Sequence, residues 1–544
     1  MTKDQPKAGM LTRRDAARLI ATGAAVGALT AGGALSGWAA EQKTLILAVE
    51  GDPSRLDPHT NSLWLTYRVV YHMFESFVGQ DLTVSGVKRA PVVPALAESW
   101  DISDDKKVYT FHLRQGVKFH DGTPWNAAAA KFNFDRLLDK NFKHYFPLAA
   151  DINTWWLQDV ASYRTVDDNT FEVVMKQTSS EFLQRLTQGG YGSAGMVSPA
   201  AVEQYGNDEI TNHPIGTGPF KFVERVFGEQ ITLAKNAEYW NPKRVPKVDT
   251  LIFRPIVDVA ARELALQNGQ VDIIATPSPD STEFLSSQGF NVVMGPVPTI
   301  YLIWLNLKEP VLQDVRVRRA MSMAIDRAGL CEHLRRKQCI PAYSILNVGG
   351  PGYDAGFNPY PYDPEGARNL LAEAGYPDGF EIRMDWTPGG AGDVNTLADA
   401  EWLQRNWADV GIKATIEVFD VGTYFDMMLK GMRTGTQVME ISWGESAFHW
   451  LDAVISPNAI SPKGYNSGYY NNPKIGELLA KAREATTPGQ QVDSLRQIQA
   501  IVGEEVPWIP FHSPFAVYAM TPKVSGFVLA PQHWHDMAIV DKTA

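Results

Sequence analysis

The chain contains 544 residues, of which 44% are hydrophobic and 20% charged, and its formal net charge is −11. A chain of this length exceeds what one hydrophobic core usually supports, so we expect at least two compact units. The balanced composition excludes a disordered or membrane-embedded protein, and the acidic balance makes nucleic acid a poor partner.

The first 40 residues have the pattern of an export signal. An arginine pair, Arg13-Arg14, precedes a mildly apolar run from Leu19 to Leu35, and the small residues Ala39-Ala40 offer a cleavage site. A membrane anchor is the alternative, but the run is weakly hydrophobic and short for a span. The segment resembles a twin-arginine signal, while general secretory export stays open because bulky residues do not follow the arginine pair. With no cysteine at the cleavage region to carry a lipid, we expect a soluble periplasmic protein.

The next informative segment is a strand followed by a turn and a helix. Val108 to Leu113 alternates apolar and polar residues, which predicts a half-buried strand. The run Asn126 to Leu138 places Ala130, Phe134 and Leu137 on one side of a helix. The unit is therefore a strand, a tight turn and a helix.

Helices and strands alternate along much of the chain. The apolar run Thr44 to Val49 predicts a buried strand near the start. Farther on, a helix around Ala400 to Ala408 ends at Gly411, and a strand from Ile412 to Val418 follows. This alternation is typical of an α/β protein, and it predicts two α/β lobes.

Cys331 and Cys339 are the two cysteines of the chain. They lie eight positions apart, in a segment that leaves a helix and enters a loop. In an oxidising compartment this spacing favours a local disulfide over a thiol nucleophile or a metal site. We expect the bond to staple a turn.

Several short motifs, each weak alone, follow one another in an order typical of a single protein family. They are Leu56–His59, Glu98–Asp139 with its turn Phe119–Pro124, Pro214–Phe220, Asn236–Trp240 with Ala265–Asp272, Asp314–Ala320 with Ala324–Arg327, and Tyr362–Glu365 with Ala372–Pro377. In these motifs the chain resembles the extracytoplasmic solute-binding proteins of peptide/nickel-type ABC importers. The resemblance extends from Leu56 to Pro377.

This resemblance implies a two-lobed α/β periplasmic binding protein with a hinge and an inserted third subdomain. Lobe I would comprise residues 41–88, 205–297 and 516–544, the inserted subdomain residues 89–204, and lobe II residues 298–515. The ligand would lie in the cleft between the lobes, and ABC permease membrane subunits would recognise the closed form. A monomer is expected, because one permease docks one binding protein in this class.

In peptide binders of the family, a carboxylate after a Trp-Gly turn pairs with the α-amino group of the ligand. The matching turn here is Trp443-Gly444-Glu445-Ser446. Glu445 stands one position early, and Ser446 occupies the place of the usual aspartate, which puts an ordinary peptide ligand in doubt. Glu445 is either an amine partner on a shifted loop or a surface acid, and Trp443 either a wall of the site or part of the core.

Further candidates for the ligand site are aromatic or charged. Trp386 begins a Gly-rich segment that extends to Asp393, which either binds a carboxylate or sugar hydroxyl through its amides or is a flexible loop. Trp304 lies in the run Tyr301 to Asn306, and alternation places it on the face that we expect to line the cleft. The remaining candidates are Arg55, Trp64, Tyr67 and His449.

No catalytic constellation such as a Walker loop, H-E-x-x-H or C-x-x-C occurs, so we expect no enzyme, no cofactor and no resident metal. The leading hypothesis is a binding protein for a short or modified peptide, an opine-like conjugate or an oligosaccharide. The alternative is capture of a nickel or other metal chelate through His449 or the pair His533 and His535. A periplasmic enzyme or a chaperone on the same scaffold is the third hypothesis.

Overall fold

The structure is a computed structural model that describes residues 42–60, 64–86, 89–187, 194–388, 396–444 and 447–543. The predicted export signal lies outside these ranges. Within them, no helix combines the length and the apolar character that a membrane crossing requires.

The described strands form one large mixed sheet, a four-stranded antiparallel sheet and two short strand pairs. In chain order they are β1 (Thr44–Val49), β2 (Val78–Gln80), β3 (Val92–Pro94), β4 (Ala97–Ile102), β5 (Val108–Leu113), β6 (Val160–Asp167), β7 (Thr170–Met175), β8 (Phe220–Val226), β9 (Gln230–Lys235), β10 (Thr250–Pro255), β11 (Ile273–Ala275), β12 (Asn291–Pro296), β13 (Thr299–Leu305), β14 (Cys339–Pro341), β15 (Phe380–Trp386), β16 (Ile412–Val418), β17 (Val438–Gly444), β18 (Trp508–Met520), β19 (Val524–Ser525) and β20 (Asp541–Lys542).

The large sheet has the strand order β16-β15-β17-β13-β18-β11-β1-β10-β9-β8, with β12 and β14 also paired to β18. Strand β18 is shared: Trp508 pairs with β13, whereas Tyr518 pairs with β11. We call β11, β1, β10, β9, β8 and β12 the first half, and β16, β15, β17, β13 and β14 the second half. Parallel pairs occur in both halves, which confirms the α/β class.

The helices of the described residues flank these sheets. In chain order they are α1 (Trp64–Val70), α2 (Ala127–Leu138), α3 (Pro147–Leu157), α4 (Phe182–Arg185), α5 (Pro199–Glu209), α6 (Val259–Gln267), α7 (Thr282–Ser287), α8 (Pro310–Gln313), α9 (Val315–Met323), α10 (Arg327–Gly329), α11 (Pro364–Glu373), α12 (Leu397–Ala408), α13 (Val421–Lys430), α14 (Ala447–Ile455), α15 (Pro473–Glu484) and α16 (Pro488–Glu505).

The four-stranded sheet has the order β4-β5-β7-β6. The predicted alternating strand is β5, in which Tyr109, Phe111 and Leu113 are buried. The predicted helix is α2, and the Asn126 side chain caps it by accepting a hydrogen bond from the Ala129 amide. Both predictions from local pattern are confirmed.

Buried apolar residues form separate clusters along these sheets. The first half has a cluster on each face, one containing Leu47 and the other its neighbour Ala48. The second half likewise has one cluster with Trp304 and another with Tyr301. The four-stranded sheet has its own core around Phe111. Both faces of each half are therefore buried, while the lobe boundaries given above stay a prediction.

Cys331 and Cys339 form a disulfide with Cα atoms 5.4 Å apart, which confirms the expected staple. The loop that it closes begins in a π-helical turn, Leu330–Leu334, and ends at β14. Arg335 in this loop donates from Nε to Oδ1 of Asp399 over 3.0 Å. The stapled loop is therefore fixed to helix α12, which carries Asp399 in its first turn.

Candidate ligand-binding site

Carboxyl ends of strands from both halves meet near the middle of the large sheet. In the first half, β1 ends at Val49 and β11 ends at Ala275, which pairs with Tyr518 of β18. In the second half, β17 ends at Gly444, opposite Thr299. In open α/β sheets, ligands bind outside the carboxyl ends of the strands. This junction of the two halves is therefore the candidate site.

A buried ion pair between Arg68 and Glu50 lies at the junction. Glu50 directly follows β1 and Arg68 comes from helix α1, and their side chains are 5% and 4% exposed. The guanidinium carbon of Arg68 lies 4.5 Å from the ring centroid of Trp64 and 5.8 Å from that of Tyr518. Burial alone would lower the pKa of Arg68, but the Glu50 carboxylate more than offsets this and raises it.

His533 connects this ion pair to the second half. Its Nε2 lies 2.7 Å from Oγ1 of Thr299, and its ring centroid lies 5.5 Å from that of Trp64. Its backbone carbonyl accepts a hydrogen bond from Nε of Arg68. Burial and the neighbouring Arg68 charge lower the pKa of His533 to about 4, so the imidazole is neutral at pH 7.

A second polar cluster lies on the second half, two residues along β13 from Thr299. The rings of Tyr301 and His512 stack with centroids 4.6 Å apart. His512 Nε2 lies 3.1 Å from Oδ2 of Asp399, which also binds Arg335. Burial would raise the pKa of Asp399, but Arg335 and His512 together lower it below its ordinary value. This buried charged cluster fixes helix α12 against the sheet.

Trp304 and Trp386 lie in the core rather than at the site. Trp304 is fully buried and stacks on Trp508, with ring centroids 5.5 Å apart. Trp386 is also fully buried, and its Nε1 donates to the carbonyl of Thr396 over 2.8 Å. The alternation predicted for β13 is correct, but helices cover both of its faces, so neither face lines a cleft. We expected Trp304 and Trp386 to form part of the ligand site, but both side chains are buried in the core.

The three candidates near the start of the chain lie in different places. Trp64 is half-buried at the junction, beside Arg68 and His533. Tyr67 is 2% exposed and packs on the ring of Trp534, so it is a core residue. Arg55 is half-buried in the loop after β1, five residues beyond Glu50. Of the three, Trp64 is the one that lies at the junction, and its role in ligand binding stays a prediction.

Trp443 and Gly444 of the predicted Trp-Gly turn are the last two residues of strand β17. The backbone of Trp443 pairs with Ile300, one position from the junction residue Thr299. His449 is in helix α14, and for both Trp443 and His449 the description is confined to the backbone. Glu445 and Ser446 lie outside the described residues, as does the Gly-rich segment that follows Trp386. Their roles stay predictions.

Glu50, Arg68 and Thr299 did not emerge as candidates from the sequence. A signal for the ion pair is nevertheless present, because Glu50 directly follows a buried strand and Arg68 interrupts the apolar helix Trp64–Val70. Charged side chains at such positions are buried only when they are paired. Nothing in the sequence marks Thr299, because its partner His533 is 234 positions away.

The two histidines considered for a metal chelate lie in different environments. His535 is 1% exposed and packs between Tyr518 and Phe527, with ring centroids at 4.6 Å and 5.1 Å. His533 instead lies at the junction. Across the described ranges, no group of three or more His, Cys, Asp or Glu residues is arranged to hold a metal ion. The imidazole of His535 therefore belongs to the core.

Known proteins share both the sequence pattern and the fold. The chain is 31% identical over 499 residues to the glutathione-binding protein GsiB of Escherichia coli (strain K12). This match covers 90% of this chain and 92% of GsiB. Among solved structures, DppA from Helicobacter pylori in complex with the peptide STSA is 25% identical, with a TM-score of 0.79 and coverage of 92% of this chain and 98% of DppA. AgaA from A. tumefaciens R10 in complex with agropinic acid is 24% identical, with a TM-score of 0.75 and coverage of 92% of this chain and 99% of AgaA.

The family assignment follows from these similarities. Residues 91–445 match the family model described as Bacterial extracellular solute-binding proteins, family 5 Middle. The match confirms the resemblance carried by the short motifs, and a protein of this family binds solutes rather than catalysing a reaction. The chain belongs to family 5 of the bacterial extracellular solute-binding proteins.

Proposed function

We propose that this protein is the periplasmic binding component of an ABC importer for a short or modified peptide or an opine-like amino-acid conjugate. The observation that carries the proposal is the 31% identity, over 90% of the chain, to a glutathione-binding protein, since glutathione is a modified tripeptide. The complex of DppA with the peptide STSA supports the same class of ligand. The opine-like class has weaker support, because AgaA shares the fold at lower identity.

The chemistry of the junction fits such a ligand. Oε2 of Glu50 pairs with Arg68, whereas Oε1 is buried and has no hydrogen-bond partner among the described residues. A buried carboxylate oxygen without a donor is unfavourable. A ligand ammonium or amide N–H would satisfy it, and peptides and amino-acid conjugates both carry these donors.

Delivery to a permease requires that the ligand favour one conformation over another. A ligand with equal affinity for both conformations shifts nothing, so it has to contact groups that move relative to each other. Glu50 and Trp64 belong to the first half of the junction, and Thr299 and Trp443 to the second. A solute held between these pairs would favour closure, and the closed form would then dock on the membrane subunits.

The first test is native mass spectrometry of the protein purified from its host without denaturation. We expect an extra mass of a few hundred daltons that is lost on denaturation and matches a peptide or an amino-acid conjugate. A mass that corresponds to an oligosaccharide or a metal chelate would contradict the proposed class of ligand. A bare protein would be tested by thermal shift with glutathione, the dipeptide Met-Leu, an opine and the Ni(His) complex, and the absence of any shift would count against it.

Two carboxylates are candidates for the amine partner, Glu50 at the junction and Glu445 after the Trp-Gly turn. We expect Glu50→Gln or Glu445→Gln to weaken glutathione binding by about 10-fold or more, which is the usual effect of losing a charge-assisted hydrogen bond. Glu224→Gln, at an exposed position on β8, is the control. Calorimetric titration of the three variants with glutathione identifies the partner. If neither Glu50→Gln nor Glu445→Gln binds glutathione more weakly than the control, neither carboxylate recognises an amine.

A further inference from the structure

Two hydrogen bonds join parts of the chain that are more than 300 residues apart. Thr178 donates from Oγ1 to the carbonyl of Glu484 over 3.1 Å, and Gln491 donates from Nε2 to Oγ of Ser180 over 2.8 Å. Thr178 and Ser180 follow β7 of the four-stranded sheet. Glu484 ends helix α15 and Gln491 lies in the first turns of helix α16, both of which pack on the second half.

Each side of this contact is held by its own part of the molecule. The hydroxyl of Tyr109, on β5, donates to the carbonyl of Ser179 over 3.1 Å and fixes the loop that carries Thr178 and Ser180. On the other side, Thr487 and Gln490 form a capping box at the start of α16. The contact therefore joins two ordered surfaces.

Helix α16 also packs on the second half through residues beyond this contact. Leu495, Ile498 and Val502 of α16 are buried in the same cluster as Trp508 of β18. Gln491 itself is only 6% exposed, although its partner Ser180 lies at the surface. Because packing holds α16 to the second half, the helix moves with that half.

The residues of this contact are not those through which the chain crosses between the halves. The chain crosses from Pro296 at the end of β12 to Thr299 at the start of β13, and again along β18. The crossings persist through any hinge motion. A motion that separates the four-stranded sheet from helix α16, by contrast, breaks the two hydrogen bonds.

We propose that Thr178–Glu484 and Ser180–Gln491 form a latch that holds the binding cleft shut and sets the fraction of closed protein before any ligand binds. The ligand site proposed above uses other residues, so the latch acts on the closed population and not on ligand recognition. A hydrogen bond of this kind changes an equilibrium by about 2- to 10-fold. The apparent affinity for every ligand would change with the population of the binding-competent form. The latch rests on the proposed closure of the cleft but not on the identity of the solute.

The test measures closure in the protein without added ligand. Spin labels are placed on two exposed positions, Lys140→Cys beside the four-stranded sheet and Lys481→Cys on α15, and double electron–electron resonance gives the distance distribution. We expect Ser180→Ala and Gln491→Ala each to raise the long-distance population by about 2- to 10-fold. The double variant should do no more than either single, because both remove the same bond.

Gln497→Ala is the matched control, since Gln497 is an exposed glutamine of α16 whose side chain donates to Asp493 in the same helix. It should leave the distribution unchanged. Equal distributions in the wild type and both single variants would overturn the latch. Glutathione added to the same samples separates the two proposals. If it shortens the distance while the variants do not lengthen it, the latch fails and closure stands. If the variants lengthen the distance while glutathione has no effect, the latch stands and glutathione is not the solute.

Discussion

Oγ1 of Thr299 and Nε2 of His533 lie 2.7 Å apart, although 234 positions separate them in the chain. Thr299 opens the first strand of the second half. His533 belongs to the C-terminal segment, whose next residue, Trp534, packs in the core of the first half. The hydrogen bond therefore joins the two halves beside the Glu50–Arg68 ion pair. A solute that contacts either side chain acts directly on the contact between the halves.

Removal of one member of the buried ion pair should destabilise the protein strongly. Arg68→Met leaves the Glu50 carboxylate buried without its partner, and we expect the free energy of unfolding to fall by about 3–5 kcal/mol. The double variant Glu50→Gln/Arg68→Met should recover most of this loss. Urea denaturation of the two variants gives the comparison, and a double variant less stable than Arg68→Met would show that the charge is not the cause.

Trp304→Ala should act on stability and not on recognition. The side chain is fully buried and stacked on Trp508, so its removal leaves a cavity that costs about 3–5 kcal/mol. Phe227→Ala is the control, because Phe227 is 67% exposed and its loss should change stability by no more than about 0.5 kcal/mol. If Trp304→Ala instead kept its melting temperature and lost affinity for glutathione, the original expectation of a cleft-facing ring would be correct.

Stability should fall as the pH drops from 6.5 to 4. Burial lowers the pKa of His59 and of His72 to about 4, whereas an unfolded histidine titrates near 6.5. The unfolded chain therefore binds more protons in this window, and each histidine removes at most about 3 kcal/mol of stability by pH 4. Glu75, whose pKa is raised by burial, acts in the opposite sense.

The pH dependence can be assigned by substitution. His72→Gln should make the decline of unfolding free energy between pH 6.5 and 4 less steep. The slope of this free energy against pH should fall by the amount that corresponds to about one bound proton. Gln497→Ala, which changes no titratable group and lies at an exposed position, should leave the slope unchanged. Equal slopes in His72→Gln and the wild type, measured by urea denaturation at a series of pH values, would mean that His72 is already charged in the folded protein.

Loss of the disulfide should lower stability moderately. Closing a loop of this size restricts the unfolded chain by about 2–3 kcal/mol in the loop-entropy model. The loop also carries Arg335, which binds the buried Asp399, so the pair Cys331→Ser/Cys339→Ser should loosen this contact as well. Reduced wild type should match the double serine variant in calorimetry. Equal melting temperatures for oxidised and reduced protein would show that the staple contributes nothing.

Features that depend on neighbouring residues could be predicted from the sequence, and features that depend on distant ones could not. The alternation of β5 and the Asn126 cap of α2 are local, and the structure contains both. The alternation of β13 correctly predicts which residues share a face with Trp304. What covers that face depends on helices α13 to α16, more than 100 residues later. The contact between Thr299 and His533 has no local signal at all. The short motifs nevertheless identified the family, because their order along the chain is itself a long-range pattern.

Strand β18 has a consequence for how the protein melts. Its 13 residues pair with β13 and β14 at one end and with β11 and β12 at the other, so both halves share one backbone. Unfolding of either half removes the hydrogen-bonding partners of this strand and exposes an edge of the other. Neither half can then denature without weakening its neighbour. Scanning calorimetry should accordingly record a single cooperative transition, where a two-lobed chain joined by flexible linkers would give two.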